Sequence, residues 1–167
     1  MKLLFLVLSF FLNSEDITRG YKIQVGDQLP NIELTLLDGT SINNQSLKGK
    51  VVVLQFTASW CGVCRKEMPH LEKEVWQRFK NDDFLLIGID LKEDISTVKK
   101  FINSTEVTYP IAIDIDGSIF EKFTLPKAGV TRNIVVDKNG KIIFLTRLFE
   151  QKEFNEMIEK IDQELKK

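Results

Sequence analysis

From residue 51 onward the apolar positions fall into runs that switch between two periods. Val51, Val52, Val53, Leu54 and Phe56 make a nearly unbroken apolar stretch, β-branched at its start. Such a run suits a central strand covered on both faces. Residues 61–80 then take helical spacing, with Val63, Leu71, Val75, Trp76 and Phe79 as buried positions and Lys73, Arg78 and Lys80 as wet ones. Pro69 lies inside that helix and is expected to kink it, because it removes one backbone donor. Residues 84–89 read as a second buried strand. Residues 93–103 read as a helix through Ile95, Val98, Phe101 and Ile102, followed by a third strand over 109–113 and a short helix over 117–123. Residues 133–136 and 141–145 form a hairpin around Asp137-Lys138-Asn139-Gly140, a strong turn signal. A last helix over Gln151–Leu165 sets Phe154, Met157, Ile158, Ile161 and Leu165 on one face. Upstream, residues 32–36 alternate like a strand and Asp38-Gly39 marks a turn. Strands alternating with helices and ending in a hairpin predict an α/β fold, a mixed sheet with helices on both faces. Its active site is expected at the carboxyl ends of the strands.

The amino terminus has a different pattern. Lys2 precedes an apolar run over residues 3–12 that only Ser9 interrupts. Spanning a bilayer takes about 20 apolar residues, so this run fits the apolar region of a secretory signal better than a membrane span. A polar stretch over 13–20 follows, with Ser14 as a small residue for cleavage. Residues 1–20 are therefore read as a signal peptide or an uncleaved N-terminal anchor, and residues 21–167 as one domain. That places the domain outside the cytosol, in the periplasm or on the outer face of the cytoplasmic membrane. No cysteine follows the apolar run, which argues against a lipid anchor. With 43% hydrophobic and 28% charged residues the 167-residue chain is ordinary for a globular protein. Its net charge of −1 gives no reason to expect nucleic acid as a partner. Nothing in the sequence calls for an oligomer or a small organic cofactor, so a monomer without cofactor is expected.

The chemistry concentrates in Trp60-Cys61-Gly62-Val63-Cys64, which holds the only two cysteines. The pair sits where the most buried strand gives way to a helix. The first thiol falls at the helix N-terminus, where unpaired amides and the dipole stabilise a thiolate, the reactive form. Two cysteines so placed can open and close a disulfide without moving the fold. A bridge closing so short a loop constrains the unfolded chain little, so a purely structural role is a poor explanation for it.

The chain resembles the thioredoxin superfamily, and within it the exported TlpA-like thiol–disulfide reductases. The residues that carry the resemblance are Gly26-Asp27-Gln28-Leu29-Pro30, the stretch from Leu47 to Phe56, and Ser59-Trp60-Cys61-Gly62-Val63-Cys64-Arg65-Lys66-Glu67-Met68-Pro69. It covers roughly residues 25–167 and implies a thioredoxin-like fold with an N-terminal β extension and an inserted helix and strand over residues 93–113. Two departures stand out. Gln55 occupies the place of the buried acid of plain thioredoxins, six residues before Cys61, and the resemblance points instead to Glu67 as the acid. The family's cis-proline, just before the strand over 133–136 and facing the cysteines, is replaced by Thr131, while Pro126 lies five residues too early.

By that resemblance Cys61 is the nucleophile, forming a mixed disulfide with a substrate. Cys64, more buried, resolves it. Glu67 accepts the proton of Cys64. Trp60, Gly62, Val63, Val130 and Thr131 make the docking surface. The partners implied are disulfide-bonded protein substrates, apocytochrome c among them, and a membrane thiol-electron donor. Arg132 either stabilises a thiolate or lies on the surface, Arg65 and Lys66 are surface charges, and His70 faces solvent or packs. Two other readings use the same cysteines. A thiol peroxidase needs a Pro-x-x-x-Thr/Ser-x-x-Cys loop, and here Ala58 stands three residues before Cys61 with no proline in 55–60. A soft-metal chaperone needs a third ligand, for which Met68 or His70 would have to serve.

Overall fold

The computed structural model describes residues 18–167, so the signal or anchor expected over residues 1–20 lies almost wholly outside the described residues. In chain order the elements are β1 (Glu33–Thr35), β2 (Ser41–Asn43), α1 (Asn44–Leu47), β3 (Val51–Thr57), α2 (Gly62–His70), a π-helical segment (Leu71–Trp76) running into α3 (Gln77–Phe79), β4 (Phe84–Leu91) and α4 (Ile95–Thr105). They continue with β5 (Ile111–Asp114), α5 (Ser118–Phe123), β6 (Arg132–Val136), β7 (Ile142–Leu145) and α6 (Gln151–Leu165). Five strands make one mixed sheet in the order β5-β4-β3-β6-β7, with β3 at its centre. β4 and β5 run parallel to β3, β6 returns antiparallel to it, and β7 pairs antiparallel with β6. β1 and β2 form a separate small antiparallel pair.

Every residue of β3 is buried, and its alternation divides the core in two. Val52, Leu54 and Phe56 face a cluster closed by Leu34 and Ile42 of the small pair, Leu47 of α1, and Phe120 and Phe123 of α5. Val51 and Val53 face the other cluster, with Met68, Leu71, Val75 and Phe79 beneath the long helical segment, Val98 and Phe101 of α4, and Phe154, Met157 and Ile161 of α6. Helices do cover both faces, but unequally. The three long helical units share one face, and the N-terminal extension with the short α1 and α5 covers the other.

The effect of Pro69 takes the form of a π-helical stretch. Without an N–H, Pro69 leaves the Arg65 carbonyl unbonded in the ladder, and two residues later the chain widens into the Leu71–Trp76 turn. Pro110 likewise delays the third strand, expected from 109, to Ile111. This frees Tyr109 to turn its ring into the core.

The N-terminal extension straps both edges of the sheet. The Gly26 and Leu29 amides bond to the carbonyls of Ile142 (2.9 Å) and Gly140 (2.8 Å), and the Ile142 amide bonds to Asp27 O (2.9 Å), beside β7. Leu37 bonds to Ile111 (2.9 Å) along β5 at the opposite edge.

Candidate active site

The carboxyl end of β3 carries the chain through Ala58, Ser59 and Trp60 directly to Cys61, which is the N-cap of α2. Cys61 and Cys64 are joined as a disulfide with Cα atoms 5.3 Å apart. The Cys64 amide donates to Cys61 Sγ at 3.2 Å, so the helix N-terminus presents a backbone donor to the first sulfur. Cys61 is 9% exposed and Cys64 is fully buried. This is the ordering of access that attack followed by resolution requires.

Thr131 faces both cysteines. Its Oγ1 lies 3.1 Å from Cys61 Sγ and 3.0 Å from Cys64 Sγ. Its amide bonds to Phe56 O (3.2 Å), and its carbonyl accepts from Leu148 N (2.9 Å). No peptide among the described residues is cis, and Thr131 instead takes a left-handed φ of +66°. Val130 is buried beside it, its carbonyl accepting from Arg147 Nη1 at 3.1 Å.

One helical turn beyond Cys64, Glu67 is buried under α2. Its Oε1 accepts from Asn133 Nδ2 at 2.7 Å and its Oε2 from Gln55 Nε2 at 3.3 Å. Gln55 in turn accepts from the Tyr109 hydroxyl at 2.8 Å, and Asn133 Nδ2 also reaches Thr146 Oγ1 at 3.0 Å. Burial raises the Glu67 pKa to about 7, against the pull of the Asn133 and Gln55 hydrogen bonds. Gln55 thus stands where an acid could have stood and serves as a donor to the acid that replaces it.

A second group of side chains holds the approach to Cys61. Glu93 accepts from the Ser59 amide and hydroxyl, each at 2.5 Å, and Arg65 Nε donates to Ser59 O at 2.8 Å. Arg65 also reaches Ser104 of α4 (3.0 Å) and lies over the Phe101 ring, so this exposed charge is a brace. Behind them is Asp90, opposite Thr57 at the end of β4 and fully buried. Burial, then the neighbouring Glu93 carboxylate, push its pKa up to about 8. Two carboxyl groups tolerate such closeness when one of them carries a proton.

Trp60 is 65% exposed, so it is no core aromatic. Gly62 is exposed and Val63 half-buried alongside it. Arg132 does something neither expectation covered: it is buried, with Nε on Gly129 O (2.8 Å), Nη1 on Arg19 O (2.8 Å) and the guanidinium over Tyr21. These partners hold the Arg132 side chain against Gly129, Arg19 and Tyr21 rather than at the sulfurs. His70 binds Glu74 (2.6 Å) and stacks near Phe149, while Met68 Sδ accepts from Thr57 Oγ1 at 3.5 Å. Among the described residues no histidine or carboxylate joins the two cysteines in a group that could hold a metal ion. The sequence assigns no site role to Asn133, Tyr109, Ser59, Glu93 or Asp90. A polar side chain inside an otherwise apolar strand was the available signal for Asn133 and Asp90.

The profile of the Redoxin family matches residues 24–165. The chain belongs to the Redoxin family. Among its curated relatives, the thiol-disulfide oxidoreductase ResA of Bacillus thuringiensis is 33% identical over 127 residues, 75% of this chain and 71% of that protein. ResA of Bacillus anthracis is 34% identical over 122 residues, 73% and 69% of the two chains. A solution structure from Bacteroides thetaiotaomicron, described as a candidate protein disulfide isomerase, superposes with a TM-score of 0.85 at 50% identity, covering 89% of this chain and 94% of that one. A Chlorobium tepidum structure described as a candidate thiol:disulfide interchange protein DsbE shares the fold, with a TM-score of 0.75 at 23% identity over 86% and 99% of the two chains. This Redoxin protein has the thioredoxin-like fold and is a ResA-like thiol–disulfide oxidoreductase, with its cysteine pair at disulfide distance.

Proposed function

We propose that this oxidoreductase reduces disulfides of exported proteins, apocytochrome c being a candidate substrate, and is recharged by a membrane thiol-electron donor. Cys61 attacks the substrate disulfide; Cys64 loses its proton and displaces the reduced substrate. The observation that carries this reading is Glu67, a carboxyl one turn from Cys64 whose pKa of about 7 lets it take that proton near neutral pH. Substrate docks over Trp60, Gly62 and Val63, a reading supported by the exposure of Trp60 next to the more accessible sulfur, whereas Val130 and Thr131, expected on that surface, are buried. The apolar run over residues 3–12, behind Lys2, supports export to the periplasmic side, as a cleaved or an anchored protein.

The test is the reduction potential of the Cys61–Cys64 pair, measured by equilibration with glutathione or dithiothreitol. A value near that of thioredoxin, about −270 mV, is expected of a reductase. A value near about −120 mV, that of a strong oxidant, would make the protein a disulfide donor and reverse the direction.

A further inference from the structure

The Thr131 hydroxyl touches both sulfurs, at 3.1 and 3.0 Å. A hydroxyl has one hydrogen to donate and two lone pairs to accept with. It can therefore donate to whichever sulfur is a thiolate while accepting from the other as a thiol. We propose that Thr131 is a catalytic residue, a single hydrogen-bond donor that serves the Cys61 thiolate in the reduced protein and the Cys64 thiolate when the bridge is opened.

Three observations support this assignment. First, the hydroxyl is fixed. The residue is fully buried, its amide is held by Phe56 O and its carbonyl by Leu148 N, so the side chain has little freedom to leave the sulfurs. Second, the position asks for a different residue. At φ +66° a β-branched side chain is a rare occupant, and glycine would sit there without strain. What threonine brings that glycine lacks is a hydroxyl between two sulfurs, and strain of this kind persists where it serves a site. Third, the two sulfurs differ in need. Cys61 has the Cys64 amide as a second donor at 3.2 Å. Cys64 is fully buried, which disfavours its thiolate, and its side-chain hydrogen-bond partner among the described residues is Thr131. Hydrogen bonds to a thiolate are charge-assisted and stronger than neutral ones.

The chemistry balances as follows, on the exchange reading proposed above. The Cys61 thiolate attacks one substrate sulfur; a Cys61–substrate bond forms, the substrate S–S bond breaks, and the second substrate sulfur leaves with the electron pair and is protonated from water. Cys64 gives its proton to Glu67 and attacks Cys61 Sγ; the Cys61–Cys64 bond forms and the remaining substrate sulfur leaves with its pair. The substrate gains two electrons and the cysteine pair loses two. In recharging, a donor thiolate attacks Cys61 and Cys64 leaves as a thiolate; a second donor thiolate then attacks the donor sulfur, Cys61 leaves as a thiolate, and Cys64 takes its proton back from Glu67. The Thr131 hydrogen points at Cys61 in the first step and at Cys64 during its attack and its departure.

The experiment compares wild type, Thr131→Val, which keeps shape and branching without the hydroxyl, and Thr131→Ser, which puts the hydroxyl back. The Cys61 thiolate is titrated by the pH dependence of its alkylation with iodoacetamide, and the disulfide is equilibrated with glutathione. In the Val protein the thiolate pKa is expected to rise by about one unit. Its glutathione equilibrium should move up to tenfold toward the intramolecular disulfide, a potential about 30 mV lower. The Ser protein should return both toward wild type. If Val leaves both readings within twofold of wild type, or if Ser behaves as Val does, the hydroxyl is a packing group and the assignment falls. Should the Val chain fail to fold, Thr131→Ala set against Thr131→Ser gives the same contrast. Neither reading needs a protein substrate. A wild type inert toward protein disulfides with the Val effect intact would therefore strike the proposed substrate class and leave the Thr131 assignment standing.

Discussion

On the mechanism proposed above, Glu67 sets the pH range of the reaction. Its pKa of about 7 is raised by burial and restrained by Asn133 and Gln55. Below that pH it is neutral and cannot take the Cys64 proton; above it, it can. Release of a preformed mixed disulfide on Cys61 should therefore speed up through about pH 7. In Glu67→Gln, release should be slower by about a hundredfold, within the usual range for a lost general base, and the inflection should vanish. Stopped-flow release of a chromophoric thiol reads both, and an unchanged rate would remove Glu67 from the mechanism. The cysteine pair, Trp60 and Glu67 could be picked out of the sequence because one short stretch, residues 59–69, carries the family resemblance. Asn133 and Tyr109 were not, since nothing local tells a strand asparagine that its neighbour in space is a glutamate on another element. Arg132 was misread for a related reason: its carbonyl partners at Gly129 and Arg19 become visible only once the N-terminal segment lies across β6.

At the scale of elements, the site depends on how closely β3 and β4 approach the loop before β5. Gly88 pairs with Gln55 across the two strands. A Cβ at Gly88 would meet Ile111 Cδ1 at 2.5 Å and the Tyr109 ring at 3.3 Å, so glycine is what lets Tyr109 lie flat enough to reach Gln55. Gly88→Ala should destabilise the fold by about 1–3 kcal/mol through overpacking and loosen the Tyr109–Gln55–Glu67 chain. Urea denaturation measures the first effect. A shifted pH inflection in mixed-disulfide release reports the second. The elements themselves followed from periodicity: β3, the β6–β7 hairpin and α6 fall where the apolar pattern puts them. The uneven sharing of the sheet's faces did not, because an amphipathic helix shows which stripe it buries and leaves the choice of face to the connections. The two prolines, Pro69 and Pro110, moved boundaries by removing donors from ladders that the apolar pattern alone continues.

For the molecule as a whole, two buried acids give stability a pH dependence of one sign. Asp90 is raised from 3.8 to about 8 and Glu67 from 4.5 to about 7. In each case the native state keeps a proton that the unfolded chain gives up at lower pH. Their contribution is complete below about pH 4 and is lost as pH climbs through about 7 and 8. Asp90→Asn imitates the protonated acid. Between about pH 5 and about pH 9 it should lose less stability than wild type, with the gap widening in its favour as pH rises. Chemical denaturation at the two values decides it, and parallel losses would show that Asp90 is already ionised in the native protein.

The strap that closes both sheet edges also sets an order of events. Residues 26–29 have their backbone partners at 140–142, at the far end of the chain. Contacts so distant in sequence close late, after the loop between them has been organised by its own pairings. A chain made from its amino terminus therefore delivers the strap first and its docking strand almost last. Until the β6–β7 hairpin has emerged, this first segment has no edge to bind, and the cysteines become a finished site only when Thr131 and Asn133 have arrived.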